Sequence, residues 1–224
     1  MTSIRVFISY AWKDHNREEI GELARWLDEQ EEIEVISDHA YPDNTYPEDG
    51  WQSWMAKSIE NAGIVLCICG ENFKKTFEKK NSDRDDAWEG AVVAREPFMN
   101  YYHYRSRQYI AVSPESGTCD AIPLTLKNRA TNPPLTDRKR IYRCIKAVSA
   151  FSQFNHYCRT RNLPEARELF ERMAELGDTP AVMSFRVKAA FNMILEYSKT
   201  GKENGAESLL HELLKDKTLR KIGL

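Results

Sequence analysis

Residues 51–69, WQSWMAKSIENAGIVLCIC, set a helix and a strand back to back. Trp51, Trp54, Met55, Ser58 and Ile59 recur at i, i+3, i+4, i+7 and i+8, which is one face of a helix. Residues 64–69 (IVLCIC) are a continuous apolar run, the pattern of a central parallel strand covered on both faces. Cys67 and Cys69 alternate within it, so they share one face of a sheet and serve as small apolar filling. Upstream, residues 5–10 (RVFISY) are a short β-branched and aromatic strand. Asp14 is placed to cap a following helix whose apolar positions are Ile20, Leu23, Ala24 and Leu27. Residues 34–38 (EVISD) make a second strand, and a turn-rich loop with two prolines and a glycine runs from Tyr41 to Gly50. Downstream come a charged loop at 74–86, a helix at 87–98 that ends near Pro97, a fourth strand at 109–113 (YIAVS) and a helix at 137–149. Parallel neighbours require crossovers, so this strand–helix alternation predicts an α/β fold with a doubly wound, mostly parallel sheet.

The rest of the composition narrows the function. The chain has 224 residues, and 32 Lys+Arg against 34 Asp+Glu leave a formal net charge of −2. A generic electrostatic nucleic-acid binder would carry a basic excess, which argues against that class. No apolar run approaches the ~20 residues needed to span a bilayer, and MTSIRVFISY lacks signal-peptide anatomy. The expectation is a cytoplasmic protein with no membrane partner. Five scattered cysteines without a CxxC predict neither disulfides nor a zinc site. There is no GxGxxG, no GxxxxGK[ST] and no GxSxG, which removes a dinucleotide fingerprint, a P-loop and a nucleophile elbow. The histidines (His15, His39, His103, His156, His211) are dispersed, read as surface or loop residues, and predict no metal.

The grammar changes near residue 150. All five tryptophans lie between Trp12 and Trp88, and seven of the nine prolines precede residue 150. We therefore divide the chain into an α/β domain over 1–150 and a helical extension over 151–224. Leu163, Ala166, Leu169, Phe170 and Met173 form one apolar stripe, and Ala206, Leu209, Leu210, Leu213 and Leu214 form another. A shift of 40 residues brings Ala166 onto Ala206 and Leu169 onto Leu209, an internal repeat. Thr179-Pro180 reads as the cap and first residue of a long helix between the two stripes.

Open parallel sheets bind ligands beyond the carboxyl ends of their strands. Here those ends are Ser9-Tyr10, Asp38, Gly70 and Ser113, on one rim. Several segments, VFISYAWKD (6–14), the strand ending in Asp38 with its acidic, proline-bearing loop, 51–69, and DAWEGAVV (86–93), together resemble a TIR-superfamily domain of the SEFIR subgroup over about 4–148. That resemblance implies a flavodoxin-like fold of five parallel strands. It also implies one of two functions in an immune or cell-death signalling response. The first is NAD glycohydrolysis at the nicotinamide–ribose bond, with possible cyclisation of ADP-ribose. The second is a non-enzymatic adaptor that associates with its own kind.

For the enzyme, the resemblance puts the catalytic carboxylate at Glu89, in the first turn of a helix entering from the rim. A carboxylate there can stabilise the oxocarbenium-like charge that grows on the ribose as the bond breaks. NAD is substrate, and no further cofactor is implied. The implied binding set is Tyr10, Ala11, Trp12, Lys13, Asp38 and Trp88: indoles for ring stacking, backbone N–H groups and a lysine for phosphate. Each also has a plainer reading, since a first-turn acid complements the helix dipole and tryptophans usually pack in cores. Glu96 is the alternative acid, set away from the rim by Pro97. The stiff loop from Tyr41 to Gly50 is the expected self-association surface. The tail resembles tetratricopeptide or pentatricopeptide units at 158–177 and 192–214, which suggests a protein-docking or self-association module.

Overall fold

The computed structural model describes residues 3–41, 45, 47–78, 108–114, 119–127, 132–177, 180–201 and 203–215. It divides into two compact units, Met1–Tyr142 and Arg143–Leu224, described in turn.

The first unit runs β1 (Ile4–Tyr10), α1 (Arg17–Asp28), β2 (Ile33–Ile36), a 3-10 turn (Asp38–Ala40), α2 (Gly50–Asn61), β3 (Ile64–Ile68) and α3 (Glu71–Glu78). After it come β4 (Gln108–Val112), a 3-10 turn (Cys119–Ala121), a short α4 (Leu124–Lys127) and the start of α5 (Arg138–Arg159). The four described strands form one all-parallel sheet in the order β2-β1-β3-β4. β3 lies inside it, with Val6 opposite Ile64 on one side and Ile64 opposite Gln108 on the other. All five of its residues are buried, as the IVLCIC run predicts. Val65, Cys67 and Cys69 take one face, where they meet Phe7, Ile59, Phe73, Phe77 and Leu126. Burial pushes the Cys69 thiol up to about 12, so it stays neutral filling at physiological pH.

The helices hold two corrections. Asp14 does not cap the helix that follows it. Asn16 does, accepting the Glu18 N–H at 3.0 Å. Asp14 instead reaches across the rim to the start of α3, where its Oδ1 accepts from Asn72 N and Nδ2 at 2.9 and 2.7 Å and its Oδ2 accepts from Phe73 N at 2.7 Å. A carboxylate satisfies orphan amides there and complements the dipole equally well, and only the fold reveals which helix it serves. The 74–86 stretch is not loop throughout either. Residues 71–78 are helical, and Phe73 and Phe77, one turn apart, sink into the core beneath a charged outer face. The helix expected at 87–98 lies outside the described residues. The last helix of this region extends well past 149, to Arg159.

The second unit contains the rest of α5, then α6 (Leu163–Glu175), α7 (Pro180–Lys199) and α8 (Glu203–Lys215). Phe154, Ala166, Leu169, Phe170, Met173, Met193 and Leu209 make its core, so the predicted α6 stripe is the buried one. Pro180 opens α7, as the Thr-Pro pair predicts.

Gly70 is where Asp14 and α3 meet. A Cβ at that position would stand 2.4 Å from Asp14 Cγ, so only glycine lets the carboxylate reach the helix start. Asp14→Ala should lower the unfolding free energy by about 1–2 kcal/mol, the usual cost of a lost helix cap. Gly70→Ala should cost at least as much, because it expels the same carboxylate. The double variant should then cost less than the sum, read by urea denaturation; strict additivity would show the two residues to be unconnected.

Candidate functional site

The site grows from the end of β1. Tyr10, its last residue, is buried and donates its hydroxyl to Asp38 Oδ2 at 2.9 Å. Two residues on, Trp12 donates its indole N–H to the same oxygen at 3.1 Å. Asp38 is buried at the start of the turn after β2, on the neighbouring strand, so one carboxylate oxygen ties together two strand ends. Its Oδ1 lies 3.1 Å from His39 Nδ1, out of hydrogen-bond alignment, and the two form an ion pair when the imidazole carries both protons. A carbonyl can only accept, so the contact of His39 Nε2 with the Arg17 carbonyl fixes a proton on that nitrogen. The ring also rests against Gly21 of α1, where a Cβ would come within 2.7 Å of it. His39 thus lies in the turn after β2, with its ring packed beneath Asp38 rather than loose. His15 is likewise engaged, with Nε2 3.1 Å from the Cys69 carbonyl at the end of β3.

Beside this anchor stands an aromatic wall. Trp51 and Trp54, from the first two turns of α2, meet edge to face at 5.4 Å. Tyr41 packs on both rings at 5.5 Å, and Phe7 meets Trp54 at 5.9 Å. Trp12 adds a further edge contact with Trp51 at 6.2 Å, yet its side stays 62% exposed. Its polar N–H is satisfied while its ring face remains open. Arg17 fixes the entry to the loop at Tyr41, donating to that residue's carbonyl at 2.7 Å.

These groups enclose a cleft of about 500 Å3 at the carboxyl ends of the strands. β1 and its loop contribute Ser9, Tyr10, Ala11, Trp12 and Lys13, and Asp38 closes the floor. α2 supplies Trp51, Trp54 and Met55, while Asn72, Lys75 and Thr76 of α3 form the opposite side. Aromatic faces with two lysines suit a planar, anionic ligand: rings stack on indoles, and phosphates meet ammonium groups. Among the described residues no cluster of three His, Cys, Asp or Glu side chains is placed to hold a metal.

The structure therefore brings Tyr10, Ala11, Trp12, Lys13 and Asp38 to one cleft. Asp38, buried and holding two donors, positions its neighbours more than it offers itself to a ligand. Trp88 and Glu89 lie outside the described residues, as do 42–44 and 46 of the loop from Tyr41 to Gly50. Sequence reasoning assigned Trp51 and Trp54 to packing and passed over Asn72 and Lys75. Their signal was position: each sits in the opening turns of a helix that follows a strand, and those turns start at the ligand-binding rim.

Residues 6–154 match the family model of the TIR domain, and residues 154–178 match that of the PPR repeat. A solved structure described as the crystal structure of a prokaryotic SEFIR domain is similar, at 26% identity, covering 57% of this chain and 84% of that chain, with a TM-score of 0.39. No curated protein matches the chain. No helix among the described residues is long and apolar enough to cross a membrane.

Because Tyr10 is buried and bonds to a carboxylate, Tyr10→Phe should cost about 1.5–3 kcal/mol, the range for hydrogen bonds to charged groups. Trp12→Phe removes a bond to the same oxygen from an exposed ring and should cost less, about 0.5–1.5 kcal/mol. Chemical denaturation of both variants checks the ranking; a costlier Trp12→Phe would contradict this account of the anchor.

Proposed function

The chain belongs to the TIR domain family, a family of signalling modules that generally associate with their own kind, and on that footing we propose that it is an NAD glycohydrolase. The observation that carries the reading is the cleft, where an exposed, N–H-anchored indole and two lysines meet at the carboxyl rim of a parallel sheet. NAD has the matching parts: two flat heterocycles, a pyrophosphate and two riboses.

The chemistry asks little of the protein beyond placement and one negative charge. The nicotinamide–ribose C–N bond breaks with its electron pair moving to the cationic pyridinium, so nicotinamide leaves neutral without an acid. Positive charge builds on the ribose, and Glu89 stabilises it; water then adds to C1 of the ribose, releasing ADP-ribose and a proton. Attack by a nitrogen of the adenine ring in place of water would give a cyclic product. In this scheme Trp12 stacks on a heterocycle, with Trp88 expected to do the same. Lys13 meets the pyrophosphate together with backbone N–H groups of the loop from Tyr10 to Trp12, and Asp38 keeps that loop in place. The proposed setting is a cytoplasmic immune or cell-death response, with the chain assembling through the loop from Tyr41 to Gly50.

Glu89→Gln should reduce NAD cleavage by roughly 10²–10³-fold, the size seen when a transition-state-stabilising group is removed. Lys13→Ala should raise KM for NAD by about tenfold while changing kcat less, because a phosphate contact persists through the reaction. Steady-state kinetics on the two variants separates these roles. Parental turnover by Glu89→Gln would remove the residue assignment.

A further inference from the structure

α3, Glu71–Glu78, uses each of its faces differently. Phe73 and Phe77 turn into the core. Lys74 and Glu78 turn to the stretch after β4, where the Lys74 ammonium donates to the Asp120 carbonyl at 2.7 Å and the Glu78 carboxylate accepts from Leu124 N at 3.0 Å. Asn72, Lys75 and Thr76, at i, i+3 and i+4, form the face that lines the cleft. Of two adjacent lysines, one is bound to the scaffold and the other stands at the site.

The start of the same helix is closed to anions. A helix N-terminus at the rim of a parallel sheet is an ordinary seat for a phosphate, because its first amides lack partners. Here the amides of Asn72 and Phe73 already bond to the Asp14 carboxylate, at 2.9 and 2.7 Å, and a phosphate brought there would meet that charge. An anionic ligand on this side of the cleft is therefore met one turn further on, at Lys75. The Glu71 carboxylate does not hold that lysine back. It lies 3.6 Å away, and the two side chains are largely exposed, Lys75 at 67% and Glu71 at 82%. Pairs of that kind contribute little to stability and yield to a better partner. Among the described residues lining the cleft, the other charged side chains are Lys13, on the loop after β1, and Asp38, buried and bonded to Tyr10 and Trp12.

We propose that Lys75 is a specificity residue of the cleft: together with Lys13 it selects a ligand with two linked phosphates, Lys13 meeting one and Lys75 the other. The proposal rests on the nucleotide reading of the cleft given above and narrows it. A pyrophosphate spreads its charge over two phosphorus groups and meets cations on two elements at once, whereas a single phosphate is served by one of them. The site then takes dinucleotides and nucleoside diphosphates and discriminates against mononucleotides, nicotinamide mononucleotide included.

Calorimetric titration of the 224-residue chain with ADP and with AMP is the test. Wild type should bind ADP at least about tenfold more tightly than AMP. Lys75→Gln should lose about tenfold in affinity for ADP and only about twofold for AMP, and Lys75→Arg should restore ADP binding. Thermal unfolding of all three proteins should coincide, because the side chain is exposed. An equal loss for both ligands would make Lys75 a general contributor to the field of the cleft, and unchanged ADP affinity would make it a solvated side chain. Either result overturns the proposal, as does a wild type that binds ADP no better than AMP. Nicotinamide release separates this proposal from the glycohydrolase reading. A wild type that binds ADP with the expected preference and dependence on Lys75, yet leaves NAD intact, removes the enzyme and keeps the assignment of Lys75. Turnover of NAD by Lys75→Gln at the parental KM keeps the enzyme and removes the assignment.

Discussion

One oxygen of the Asp38 carboxylate accepts both the Tyr10 hydroxyl and the Trp12 indole N–H, at 2.9 and 3.1 Å. A carboxylate so buried loses most of its hydration, and charged hydrogen bonds are what make its position tolerable. Because Tyr10 ends β1 and Asp38 follows β2, satisfying that oxygen fixes how the chain leaves two adjacent strands. It also fixes Trp12 by its polar edge. An indole that would otherwise turn to bury its face is held open over the cleft, leaning edge-on against Trp51. The opposite side is held by a second carboxylate, Asp14, through three bonds to Asn72 and Phe73. The two anchors hold one loop at Trp12 and at Asp14, which is why residues 11–13 can serve as one wall of a preorganised cleft.

The fold was legible where the sequence obeys a single periodicity. The IVLCIC run could be little else than a strand buried on both faces, and the tryptophan-bearing stripe before it could only be a helix. The strand order was not legible, because nothing local distinguishes which neighbour β1 takes; it follows from packing and crossover handedness. Residues 71–78 show the opposite failure. Their four charged side chains outnumber the two phenylalanines, and charge density hid a helix whose i, i+4 aromatic pair does all the burying.

The site was half legible for a different reason. Position at strand ends pointed to Tyr10 and Asp38, and the family resemblance implied Ala11, Trp12 and Lys13 beside them, all without any knowledge of contacts. What it could not supply was division of labour. Whether a carboxylate faces a ligand or a tyrosine depends on long-range geometry, and Asp14 and Asp38 are equally acidic in the sequence yet serve a helix start and a strand end respectively. The tryptophans of α2 were assigned to the core on general grounds. They do pack against one another, and Trp54 also against Phe7 and the core, while one side of the cluster borders the cleft.

An enzyme and an adaptor built on this fold would share the sheet, the anchored loop and the aromatic wall, so architecture does not separate them. Turnover does. The purified 224-residue chain, concentrated enough to assemble, incubated with NAD and followed by chromatography should release nicotinamide in step with ADP-ribose or its cyclic form. NAD that remains intact under those conditions would contradict the account and leave association between copies as the function of the domain.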